Sequence, residues 1–345
     1  MKKEMIVDLR SDTLTKPTPE MMEAMMTAEV GDDVFGEDPS INALQEKMAA
    51  MFGMEAALFV PSGTMANQIA IKVHTQPGDE VICDQLSHIY NYEGGGIAFN
   101  SGASVRLLQG DRGVFSAKQV EEAILGPESY YANSSLVVIE NTVNKGGGSI
   151  WSLEKIKSIQ SVCRQNKLKL HLDGARLFNA LVESGESTID YGKAFDSISI
   201  CLSKGLGTPV GSVLISTKEN IHKAHRYRKV MGGGMRQAGF LAAAGIYALD
   251  HHIDRLKIDH ANARKIAAEL KNISIIEEVL PVESNILIFR LKDEETARSF
   301  LDTLNENGIL AAPFGPTNIR FVTHLDISDQ HMDYLLHFLE NFGKA

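Results

Sequence analysis

From about Ala56 to Ile215 the chain alternates short apolar runs with helix-like segments, and this restricts the fold more than any other feature. Ala56 to Val60, Glu80 to Cys83 and Leu136 to Ile139 have strand length, and Thr64 to Val73 reads as a helix between the first two. Near-continuous apolar strands separated by helices belong to a parallel sheet covered on both faces. Two further runs have informative ends. Leu168 to Leu172 stops at Asp173-Gly174-Ala175-Arg176, and Ser199 to Leu202 leads into Ser203-Lys204-Gly205. Each reads as a buried strand that delivers one charged residue at its tip. The interval between Asp173 and Lys204 fits one helix plus the next strand.

The rest of the chain completes an α/β reading. Thr18 followed by Pro19 predicts a capped helix start, and a second helix is expected from about Pro39 to Gly53. Met21, Met22, Met25 and Met26 lie at helical spacing, which points to core or interface. Ile150 to Asn166 is expected to be helical, Val210 to Ser216 a strand, and Lys218 to Met231 a basic helix. Gln237 to His260 reads as one long connecting helix. Beyond it come a strand (Asn285 to Leu291), a helix (Glu294 to Asn307), a strand (Ile319 to Thr323) and a final helix. With 345 residues, two domains are expected. They are an N-terminal arm with a large, mostly parallel sheet domain (1–249) and a smaller C-terminal α+β domain (250–345).

Several classes are disfavoured. A net charge of -10 implies no basic surface for nucleic acid. No apolar run is long enough to span a bilayer, and the apolar stretch within Met1 to Val7 is too short for a signal peptide, so a cytoplasmic address is expected. Cys83, Cys163 and Cys201 lack metal-ligand spacing and read as buried, reduced thiols; no metal is expected.

The lysine and the carboxylate at two strand tips suit pyridoxal 5'-phosphate (PLP). The lysine amine bonds covalently to the cofactor aldehyde, and the carboxylate keeps the pyridine nitrogen protonated so that the ring draws electrons. Pro61-Ser62-Gly63-Thr64-Met65-Ala66-Asn67 joins a strand to a helix, so Gly63 and Thr64 are candidates to hold a phosphate at a helix N-terminus. His88, just past the strand ending near Cys83, is placed to stack on such a ring and reach the reacting bonds. Lys229 and Arg236 flank Gly232-Gly233-Gly234 and could reach an anion. Gly205 to Gly211 superficially resembles a dinucleotide loop, but Pro209 interrupts the helix start such a loop needs, and a strand follows. The residues alone leave open a β-eliminating lyase, an aminotransferase or a non-catalytic PLP carrier.

Longer motifs narrow the choice. Asp8 to Thr13, Gly31 to Pro39, His171 to Arg176, Ser203-Lys204-Gly205, Gly232 to Gln237 and Arg320 to His324 together resemble the low-specificity L-threonine aldolase family, over nearly the whole chain. The resemblance implies the aspartate aminotransferase-like fold (PLP fold type I) and a homotetramer, a dimer of dimers with active sites at the dimer interface. It implies a lyase that cleaves L-threonine, L-allo-threonine and related L-3-hydroxy amino acids to glycine and an aldehyde. Residue by residue it makes Lys204 the tethering lysine, Asp173 the partner of the ring nitrogen and His88 the stacking histidine. Gly63 and Thr64 match the phosphate loop, and Lys229 and Arg236 add phosphate contacts from the neighbouring subunit. Ser11, Arg176 and Arg320 match the groups that hold the substrate carboxylate, and Tyr92 falls near the site. Two positions depart from the pattern. Phe35 stands where members often carry tyrosine. Tyr130 stands where some carry a histidine on the side of the substrate hydroxyl, which leans away from strict allo specificity.

Overall fold

Apolar runs and their caps decide where the chain extends and where it coils. A computed structural model describes residues 5–342; Lys2 and Lys3 of the amino-terminal stretch lie outside them. Seven strands form one sheet, in the order Ala56–Val60, Ser212–Ser216, Ser197–Cys201, Lys169–Asp173, Asn133–Glu140, Asp79–Asp84 and Ser104–Leu108. Ser212–Ser216 is antiparallel to both of its neighbours, and the other adjacent pairs are parallel. The sheet is therefore mostly parallel, as the uninterrupted apolar runs require. Its inner strands are buried at every position of Asp79–Asp84, Ser197–Cys201 and Ser212–Ser216. Each fully buried Val, Leu or Ile there contributes about 1.5–3 kcal/mol of transfer free energy.

The helices covering the sheet begin where the sequence supplies caps. Thr18 accepts from Met21 N before Pro19–Met26, Asp38 accepts from Ile41 N before Pro39–Phe52, and Ser62 accepts from Met65 N before Gly63–His74. Gly53 ends the second of these in the left-handed region, at φ 59°. Of the methionine stripe, Met21 is in the core, while Met22 and Met26 are exposed.

Two expectations need correction. The interval between Asp173 and Lys204 holds two short helices, Leu177–Ser184 and Thr188–Ala194, before its strand. Gly185 (φ 72°) stops the first and the Ser187 side chain caps the second. The long connecting helix is two helices, Gly239–His251 and Leu256–Leu270. His252 leaves the helix with its Nδ1 on the Leu206 carbonyl oxygen at 2.7 Å. The break has a packing cause. Ala242, Ala244 and Ala248 pack in the core around the large sheet, whereas Ala263, Ile266 and Leu270 pack in a second core.

That second core lies beside a four-stranded antiparallel sheet in the order Ala312–Pro313, Asn318–Val322, Ile286–Leu291 and Ile276–Val279. Val7 and Leu9 belong to it, and Val7–Asp8 pairs in parallel with Ile309–Leu310. The amino-terminal segment thereby crosses from the second core to the edge of the large sheet. Among the described residues no helix is long and apolar enough to cross a membrane.

Candidate active site

The parallel strands end along one edge of the large sheet, where open α/β sheets bind ligands. Asp173 ends its own strand; Lys204 and His88 follow the ends of theirs within a few residues, and Gly63 opens the helix after Ala56–Val60. A cavity of about 410 Å³ opens there, and Ser11, His88, Tyr92, Arg176, Lys204 and Arg320 line it together with Asn144 and Phe314. Ser11, Arg176 and Arg320, separated by most of the chain, thus meet Lys204 and His88 in one space.

The floor of the site is a buried carboxylate. Asp173 is 2% exposed and accepts from Asn67 Nδ2 at 2.9 Å and Ala175 N–H at 3.2 Å. Neither donor is a cation. Its carboxylate, His88 and Glu93 bring their polar atoms within 4.8 Å of one another. His88 Nδ1 lies 3.0 Å from Glu93 Oε1, and its ring centroid is 5.5 Å from that of Tyr92. Burial alone would lower the His88 pKa; the Glu93 hydrogen bond and the charges of Asp173, Glu93 and Glu140 outweigh it and raise it.

Two guanidiniums face the cavity, each held from behind. Arg176 Nε and Nη2 form a two-pronged pair with Asp12 at 2.8 and 2.7 Å. Burial would raise the Asp12 carboxyl, but Arg176, Lys204 and Asn285 hold it down to about 2. Arg320 donates to Asn144 Oδ1 at 2.9 Å and to the Arg10 carbonyl at 3.0 Å, and lies 4.8 Å over the Phe314 ring. Its Nε is buried without a partner. Burial and the nearby Arg176 lower its pKa to about 10. Two cations that disfavour one another, one with an orphaned N–H, fit an anionic ligand such as a carboxylate.

The site residues also fit PLP. Gly63 and Thr64 occupy the first turn of a 12-residue helix whose cap, Ser62, is turned to Met65 N. Their own amides are left for a phosphate. A Cβ on Gly63 would stand 2.5 Å from Cys201 Sγ, so only glycine lets this turn sit so close to the sheet. Asp173, buried without a cationic partner, suits a protonated pyridine nitrogen.

Other expected residues stand apart in the single chain. Arg236 pairs with Asp32 at 2.8 Å and lies 5.8 Å over the Phe35 ring. Lys229 lines a separate cavity of about 340 Å³ with His222, His225 and Arg228. Tyr130 is 77% exposed, packs on Tyr131, and does not line the main cavity. The sequence reading missed Asp12, Asn67, Glu93, Glu140, Asn144 and Phe314. Asp12 and Asn67 lie inside motifs it quoted, and they could have been asked for as partners of a buried arginine and a buried carboxylate. The Gly205 to Gly211 segment leads into the strand Ser212–Ser216, as read.

Comparison with known proteins agrees with this geometry. The beta-eliminating lyase family matches residues 8–294. The chain is 42% identical over 337 residues to low-specificity L-threonine aldolase 1 of Arabidopsis thaliana, covering 96% of this chain and 94% of that protein. It is 41% identical over 330 residues to the low specificity L-threonine aldolase of Escherichia coli K12, covering 95% and 96%. Among solved structures, the threonine aldolase of Leishmania major superposes with a TM-score of 0.85 at 22% identity, covering 97% of this chain and 99% of that one, which bears on the fold. A cavity lined by a lysine just past a strand tip and by two arginines, above a buried aspartate with no cation hydrogen-bonded to it, on a sequence this close to those relatives, makes the chain a member of the low-specificity L-threonine aldolase family within the beta-eliminating lyases.

Proposed function

We propose that this chain is a PLP-dependent lyase that cleaves L-threonine, L-allo-threonine and related L-3-hydroxy amino acids to glycine and an aldehyde such as acetaldehyde. The observation that carries the reading is the convergence of Lys204, His88, Arg176 and Arg320 on one cavity with Asp173 buried beneath it. Bound PLP supplies an electron sink for the bond broken at the substrate Cα. Lys204 tethers it, Asp173 balances its ring nitrogen, and the Gly63 and Thr64 amides hold its phosphate.

Arg176 and Arg320, with Ser11, grip the substrate carboxylate. Asp12 occupies the Nε–Nη2 edge of Arg176, so Nη1 and the second Nη2 proton are left for substrate. Holding the carboxylate fixes the rotation about Cα and sets the Cα–Cβ bond, rather than a neighbouring one, in line for cleavage. His88 takes the β-hydroxyl proton, directly or through water, at its Nε2, the nitrogen that Glu93 does not occupy. Tyr92 closes the wall beside it. Tyr130, exposed on its own chain, would act only if loop or subunit packing brought it to the hydroxyl side.

Further parts of the reading concern assembly. We propose a cytoplasmic homotetramer, a dimer of dimers in which Lys229 and Arg236 reach the phosphate of the neighbouring subunit. Their position away from the main cavity of their own chain supports this, as do exposed Met26, Phe35, Phe99 and Val230. A division at 1–249 and 250–345 is supported by the two largest hydrophobic cores, with Val7 and Leu9 lent to the second and Leu256 to the first.

The test is to incubate PLP-loaded protein with L-threonine and L-allo-threonine separately and follow acetaldehyde and glycine. Their release in equal amounts is the expected result. Formation of 2-oxobutyrate or another keto acid instead would assign the site to elimination or transamination.

A further inference from the structure

The least expected part of the site is a buried polar network behind His88. Glu93 is five residues past His88, and its side chain is fully buried. Three groups converge on its carboxylate. Asn67 Nδ2 donates to Oε1 at 2.9 Å, Gln68 Nε2 donates to Oε2 at 2.6 Å, and His88 Nδ1 stands 3.0 Å from Oε1.

Asn67 ties two carboxylates together. Its amide nitrogen lies between two carboxylates, Glu93 and Asp173, each at 2.9 Å, and so spends both protons there. Its carbonyl oxygen must then accept, and it does so from Ser199 Oγ at 2.6 Å, with His171 Nε2 3.2 Å away. On its far side His171 Nδ1 lies 2.8 Å from Ser197 Oγ and 3.1 Å from the Ser197 carbonyl oxygen. Burial and the nearby His74 hold its pKa down to about 3, so it stays neutral. Both Glu93 oxygens already accept from side-chain amides, an arrangement that suits a carboxylate accepting from His88 Nδ1–H as well. Whatever proton His88 carries toward Glu93 must lie on His88 Nδ1.

We propose that Glu93 is a positioning residue for His88: it holds the Nδ1–H tautomer, leaves Nε2 as the nitrogen facing the cavity, and through Asn67 shares one rigid hydrogen-bonded frame with Asp173. A buried carboxylate on Nδ1 both orients an imidazole and raises its basicity. The charged groups facing His88 are Glu93 from its own segment, Glu140 and Asp173 from neighbouring strands, and Lys204, Arg176 and Arg320 across the cavity, with Tyr92 beside it. Of these, Glu93 alone is hydrogen-bonded to the ring.

The inference rests on His88 serving the proposed cleavage, and its first readout, the tautomer, is independent of turnover. The full-length, PLP-loaded protein is labelled with ring-15N histidine, and His88 is assigned by comparison with His88→Gln. In the unaltered protein, neutral His88 should show its proton on Nδ1. In Glu93→Gln, which keeps an acceptor for Nδ1–H but removes the charge, the His88 pKa should fall by about one unit. The acid limb of the cleavage pH profile should move to lower pH by the same amount. Glu93→Asp, which keeps the charge, should restore most of that shift. A packing role alone would lower the rate without moving the limb. Neutral His88 protonated on Nε2, or an unmoved His88 pKa in Glu93→Gln, overturns the inference. The tautomer measurement needs no variant at position 93, so it decides even if that chain does not fold. Acetaldehyde release by the unaltered protein, measured alongside, tells failure of this inference from failure of the proposed function.

Discussion

Asp173 and Asp12 show how two buried aspartates can be given opposite tasks. Asp173 has no cation hydrogen-bonded to it, whereas Asp12 is locked to Arg176 with both prongs. Asp173→Asn should therefore leave cofactor binding largely intact and slow cleavage by orders of magnitude, since a neutral ring nitrogen draws electrons poorly. Spectral titration and steady-state kinetics check the two halves. Asp12→Ala leaves the buried Arg176 unpaired, and denaturant unfolding should show a loss of about 3–5 kcal/mol. The same pair gives a signed pH dependence. Asp12 is held down to about 2 from an ordinary 3.8, so its contribution is present above that ordinary value and is lost as the pH falls toward 2. Acid unfolding of Asp12→Asn should lack that component. Lys204, Asp173, His88 and Arg176 were legible in the sequence because each ends or follows a recognisable apolar run. Their supports were not. Asp12 meets Arg176 across 164 positions and Asn67 meets Asp173 across 106, and no local pattern records such a contact.

Among the elements, the strand ends carry the candidate site and the turns after them position it. Glu140, last residue of Asn133–Glu140, accepts from His88 N at 2.6 Å and from Asn144 N at 2.8 Å. Through Asn144 it also steadies Arg320. Burial and the adjacent Asp173 push its carboxyl up to about 7. Glu140→Gln offers one acceptor where two are needed, so one turn must loosen. KM for the amino acid should rise several-fold, with secondary structure by circular dichroism unchanged. At the other end of the sheet, Gly63→Ala places a Cβ against Cys201 and displaces the helix start. Its PLP dissociation constant should rise on the order of tenfold, the loss of about one well-placed hydrogen bond. The helix starts at Pro19, Pro39 and Gly63 were readable because cap chemistry is local. The break at His252 was hidden because its cause is tertiary: one continuous apolar pattern serves two different cores.

The whole molecule joins its two largest cores through the amino-terminal segment and the broken helix pair, and the cavity lies where they meet. Arg320 comes from the antiparallel sheet, Lys204 from the loop after a parallel strand, and Ser11 from the segment between the two cores. The proposed assembly makes a separate prediction. Lys204→Ala and Arg236→Ala chains, each impaired alone, should regain part of the activity when co-assembled, because one mixed interface then carries an intact Lys204 and an intact Arg236. The central claim is more direct still: the ε-amino group of Lys204 is the point of covalent attachment for PLP. Borohydride reduction of the loaded protein, followed by peptide mass spectrometry, should place the pyridoxyl adduct on the peptide containing Ser203-Lys204-Gly205. An adduct on a different lysine, or none in saturated protein, would contradict the account.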